Sequence, residues 1–141
     1  MKLSAIRVDS RLAEQGDWVD NIPELSGIRL KVRGAHNTDY RVLEAKLTRE
    51  IPREERIQGM SPAAQDRMIG TLLLETVLVD IDGLTEEDGV TPLRYSRELG
   101  ERLLLDPDFR KFRDGVAWAA ESVANRRKAD EALEVKNSPT S

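Results

Sequence analysis

The residues best placed to do chemistry lie in one acidic stretch, Asp80-Ile81-Asp82-Gly83-Leu84-Thr85-Glu86-Glu87-Asp88-Gly89. Asp80 and Asp82 stand at the first and third positions of a would-be calcium loop. Such a loop then needs an oxygen ligand at the fifth position, glycine at the sixth and glutamate at the twelfth. Those positions hold Leu84, Thr85 and Thr91. The ligand pattern fails, and no metal site is read here. The stretch reads instead as a helix exit followed by a tight turn. Asp82, Gly83 and Gly89 are its turn residues, glycine supplying positive φ without steric cost.

His36 is the single histidine and the chain has no cysteine. A catalytic histidine needs a positioned partner, and no nucleophile motif lies near this one. With no glycine-rich phosphate loop either, no catalytic and no cofactor-binding residue is assigned, and the chain is read as a non-enzyme. Arg29, Lys31 and Arg33 would share one face of a strand, a row that can meet phosphates. It lacks interleaved aromatics, and the formal net charge is −4. The row is therefore read as a solvated face or a guarded strand edge, with nucleic acid disfavoured. Trp18 and Trp118 are the aromatics suited to anchoring another protein. Together with Leu30 they are the partner-binding candidates.

These residues must be held by a few elements. Residues 1–34 read as extended. Ile28 to Arg33 alternates apolar and basic residues between Gly27 and Gly34, the pattern of a half-buried strand. Asp17-Trp18-Val19 is its expected partner, and residues 3–8 are a third candidate strand. Four helices are expected beyond. One covers about 38–49, capped by Asn37 or Thr38 and ended by Pro52. Ser61-Pro62 opens a second, read as running to about Val79 with a wide apolar face. Ser96 caps a third near 96–105. Asp106-Pro107 starts the last, read to about 130, with Trp118 off its apolar stripe. Arg53 to Gln58 is a connector or short helix.

Charged residues make up 34% of the chain and aromatics only 4%, so the core must be aliphatic and modest. Self-association is expected of such a core. The first ten residues hold no long apolar run, so no signal peptide is read. The apolar stretch from Leu72 to Ile81 is too short and too charged to span a bilayer. The expected fold is α+β: a small N-terminal hairpin or sheet, then a helix-dominated part of three to four helices. It forms one domain over 1–133, extended over 1–34 and helical over 38–133, with a disordered tail at 134–141.

One longer pattern remains. Glu75 to Leu84 is followed by Asp88-Gly89-Val90-Thr91-Pro92-Leu93-Arg94-Tyr95-Ser96, then Leu103-Leu104-Leu105-Asp106-Pro107 and Phe109. This order resembles the tail assembly chaperones of long-tailed bacteriophages. There an apolar helix ends on an acidic-apolar-acidic-Gly motif, before an aromatic-Ser cap, a leucine-rich helix and an Asp-Pro start. Ile81 stands where many relatives have tryptophan. The resemblance extends loosely over residues 17–125. It implies a protein of the host cytoplasm that binds the tape measure protein, recruits tail tube subunits and self-associates, without catalysis or membrane contact. The alternatives are a permanent virion component, such as a head–tail joining or tail-end protein, and a small nucleic-acid-binding regulator.

Overall fold

The computed structural model describes residues 1–127. Its elements are α1 (Ser10–Gln15), β1 (Asp17–Val19), β2 (Arg29–Val32), α2 (Thr38–Arg49), α3 (Arg53–Gln58), α4 (Pro62–Thr76), β3 (Leu78–Asp82), α5 (Arg97–Leu105) and α6 (Arg110–Ala124). The fold is α+β. The strands form one antiparallel sheet in the order β1-β2-β3. β2 lies in the centre, with Trp18 opposite Lys31 and Val19 opposite Leu30 on one side. On the other side Arg29 faces Asp82, Leu30 faces Ile81 and Lys31 faces Asp80, with an irregularity between Lys31 and Val32.

Alternation along β2 sends Leu30 and Val32 inward and Arg29 and Lys31 outward. The inner face packs on α6, whose buried stripe is Phe112, Gly115, Val116, Ala119, Ala120 and Val123. α4 completes the core through Leu73 and Leu74, with Val77 just past its end, and both α5 and α2 pack against it. No described helix is long and apolar enough to cross a membrane.

Four differences from the sequence reading have physical causes. Residues 3–8 form no strand: Leu3–Ile6 is a short 3-10 turn. Within the stretch read as extended, Ser10–Gln15 is helical, because the Asp9 carboxylate caps it by accepting from the Leu12 amide at 3.1 Å. The last helix begins with a 3-10 turn at Pro107–Phe109 and ends at Ala124, not near 130. Helix α4 stops at Thr76, and the chain passes straight into β3. Thr76, Val77, Val79 and Ile81 are β-branched and suit a pleated surface. The expected reach of the helical part to 133 and the tail at 134–141 lie outside the described residues.

That abrupt helix-to-strand change is held from a distance. Asn37 is 2% exposed. Its Oδ1 accepts from the Tyr40 amide at 2.9 Å, capping α2. Its Nδ2 donates to the Thr76 carbonyl at 2.9 Å and to the Gly34 carbonyl at 3.0 Å. One side chain thus satisfies the start of α2, the end of α4 and the turn after β2. The next residue is held by Glu14. Its carboxylate accepts from the Thr38 amide at 2.9 Å and the Thr38 hydroxyl at 2.7 Å, and pairs with Arg33 at 3.3 Å. The Thr38 hydroxyl foremost, then its amide and Arg33, outweigh partial burial and hold the Glu14 carboxyl below its ordinary value.

Two outcomes follow for stability. Asn37→Ala removes a cap and leaves the buried Thr76 carbonyl without its donor. Urea unfolding should show a loss of about 2–3 kcal/mol, with Asn37→Ser intermediate because its hydroxyl can retain the cap. Glu14 has a depressed folded pKa, so its contribution is present above about pH 4.5, the ordinary value, and is lost as pH falls through the folded one. The gap in melting temperature between the native chain and Glu14→Gln should therefore be open at pH 7 and close as the pH drops below about 4.5.

Candidate functional site

The sequence-derived candidates fall in different places. Leu30 is 0% exposed. It is a core residue under α6 and no contact surface, which corrects its reading as a partner-binding residue. Trp18 is half-buried on the outward side of the sheet, with the Arg29 guanidinium 5.0 Å from its ring centre. Trp118 is 44% exposed on α6, outside that helix's buried stripe. The two tryptophans sit on different elements, β1 and α6, and among the described residues no ring contact joins them.

The basic row is not a row either. Arg29 lies 3.8 Å from Asp82, and Lys31 stands opposite Asp80. Arg33 lies beyond the end of β2 and turns toward the helices, donating to the Glu14 carbonyl at 2.7 Å and to Asp39 at 2.7 Å. The outer sheet face therefore carries cross-strand pairs of opposite charge, not a bare cationic surface.

The acidic stretch is split between strand and hairpin. Asp80 and Asp82 belong to β3. Beyond them Gly83 has φ +95, and a Cβ there would lie 2.2 Å from the Gly27 carbonyl oxygen. The turn after β3 thus packs its backbone against the loop before β2, and only glycine fits. The chain then folds back: Leu93 donates to the Leu84 carbonyl at 2.8 Å, and Thr85 bridges Pro92. Gly89, φ +72, sits in the tip with open space around it. Asp88 braces that tip, accepting from the Val90 and Thr91 amides and the Thr91 hydroxyl. Those bonds hold its carboxyl down to about 2. His36, φ +58, is exposed and meets Tyr40 edge-on at 5.1 Å.

An apolar groove of about 240 Å³ lies where α2, α3 and α4 converge. Leu47 and Ile51 come from the end of α2 and the turn after it. Pro52 opens α3, Met60 precedes α4, and Ala64 and Met68 line α4. Glu50, Glu55 and Arg67 stand on its rim. Helix α2 has no fully buried residue: Tyr40 packs against the margin of the core, and Leu47 lines this shallow joint. Val42 on α2 and Ile57 on α3 are exposed nearby in sequence. Sequence reading placed Leu47 and Met68 on apolar helix faces but did not single them out. The signal that marks them is the clustering of flexible methionines around an Ile-Pro joint.

A family model described as YdaY prophage protein matches residues 35–137. The chain belongs to the YdaY prophage protein family. It is thus a phage-derived protein. The family match takes in β3 and helices α2 to α6, and with them the groove and Trp118, while Trp18 and Leu30 lie before it. No curated protein and no solved structure matches the chain.

Gly83→Val tests the turn: the strained φ and the clash with the Gly27 carbonyl should cost more than about 2 kcal/mol in urea unfolding, against about 0.5 or less for an ordinary surface change. Unfolding like that of the native chain would show the turn to be permissive.

Proposed function

We propose that this prophage protein acts in tail assembly as a chaperone, through protein–protein contacts and without catalysis. It binds the apolar face of a helical client, the tape measure protein, and recruits tail tube subunits in the host cytoplasm. The observation that carries this reading is the groove between α2, α3 and α4. It is apolar, open, floored by the adaptable side chains of Met60 and Met68, and rimmed by charges. An amphipathic helix laid into such a groove buries its apolar stripe while its polar sides meet the rim.

Two further observations support it. The order of residues that resembles the tail chaperones, Glu75 to Phe109, maps onto one continuous structural unit: the end of α4, β3, the braced hairpin, α5 and the turn opening α6. The phage origin of the family agrees with a tail role. The regulator alternative is weakened by the pairing of Arg29 and Arg33 with carboxylates. Self-association through exposed apolar side chains belongs to the same reading, since a small groove and a modest interface favour reversible contact.

Co-expression of the tagged chain with the tape measure and tail tube proteins of the same phage, followed by pull-down and sizing, is the direct test. Capture of the tape measure protein is expected. Met68→Glu, which places a charge on the groove floor, should reduce that capture by about tenfold or more while melting stays within a few degrees of the native chain. Mass spectrometry of purified virions should find the protein depleted from mature tails. Its abundance there would replace the chaperone reading with that of a permanent virion component.

A further inference from the structure

The two edges of the sheet are chemically unequal. In an antiparallel sheet each edge residue either faces its neighbour or turns its N–H and C=O outward. On β1 the outward residue is Trp18. The Asp17 carboxylate accepts its amide at 2.8 Å, and the Arg126 guanidinium donates to its carbonyl at 3.0 Å. Arg126 also pairs with Asp17. That edge is closed at both backbone groups by a locked ion pair.

On β3 the outward residue is Ile81, opposite Leu30. Its amide donates to the Asp80 carboxylate at 2.8 Å. Its carbonyl points the same way, and among the described residues no side chain donates to it. Beside this edge runs a cleft of about 570 Å³, bounded on the strand side by Asp80, Ile81 and Asp82 and on the other by Leu93, Arg94 and Tyr95. The cleft has length, one free acceptor, and one donor held only by the carboxylate of the preceding residue.

The sheet itself displays what β3 selects in a neighbour. Its inner partner β2 reads Arg29-Leu30-Lys31-Val32, and the cross-strand pairs are Arg29 with Asp82 and Lys31 with Asp80. Both aspartates project on the outer face, where a strand added on the far side of β3 would meet them equally. Among the described residues Asp80 has no ion pair, and Asp82 shares only a long contact with Arg29.

We propose that the outer edge of β3 receives an extended segment of a partner polypeptide with basic residues at alternate positions. The segment adds as a fourth strand. Its backbone takes over the Ile81 amide and engages the Ile81 carbonyl. Its basic side chains pair with Asp80 and Asp82, and an intervening apolar residue lies beside Ile81. Asp80 then has two roles: it caps the edge against indiscriminate strand pairing and, once released from the amide, faces the partner's cation. This surface is separate from the groove between α2, α3 and α4 and serves a different kind of segment, so it stands or falls independently of the tail-assembly reading.

The probe is a synthetic peptide carrying residues 27–34 of this chain, a sequence already shown to pair with β3. It is titrated into the isotopically labelled full chain and followed by amide chemical shifts. Shifts centred on Val79 to Gly83 and Leu93 to Tyr95 are expected, weakening with salt. A control peptide with glutamate at its three basic positions should produce none. Asp82→Lys should weaken binding by about tenfold or more while retaining a dispersed spectrum. Three results overturn the proposal: no response of β3 at millimolar peptide, an equal response to the control peptide, or shifts centred on β1, the core or the groove.

Discussion

A polar side chain buried in an aliphatic interior must have its hydrogen bonds met locally or it destabilises everything around it. In this chain that constraint falls on Asn37, and the fold is arranged to satisfy it. Its amide spans three backbone segments far apart in sequence: the turn after β2, the first turn of α2 and the last turn of α4. Because the carbonyl at the end of α4 is already occupied, the helix needs no capping loop, and the chain enters β3 within two residues. The Val77 carbonyl accepts from the Arg33 amide at 2.9 Å and continues the same seam. The sheet register, the placement of α4 and the start of α2 are therefore set together.

Much of this was legible locally. Asn37, Ser61-Pro62, Ser96 and Asp106-Pro107 announce helix starts through side-chain oxygens and missing amides, and the structure shows the corresponding bonds or placements. The alternation around Arg29 to Val32 identified the central strand. The end of α4 was not legible. Leu72 to Ile81 is one apolar run, and periodicity alone does not separate a buried helix from a buried strand. What ends the helix is a bond to a residue 39 positions away. The short helix α1 was missed because six residues are too few to show a period, although Asp9 stood ready to cap it.

The candidate site was less legible than the fold. Leu30 was chosen for its place in an amphipathic strand, but strand alternation does not say which face is wet until the packing of α6 is known. The three basic residues of that segment looked equivalent in sequence and diverge in space, because Arg33 lies past the last residue of β2 and follows the turn toward Glu14. The groove depends on where α2 and α3 come to rest against α4, a long-range outcome with only a weak compositional trace.

Helix α2 is fastened unevenly. Its first turn is bound by Asn37 and Glu14, whereas its far end and α3 bury little apolar surface. Free energies of local opening scale with the buried contact that is lost, so this pair of helices belongs to the low end of the molecule's stability range. Opening of the molecule is therefore expected to begin at the distal end of α2 and at α3, ahead of the core. The groove thus lies where the least buried helices of the molecule, α2 and α3, meet the core helix α4.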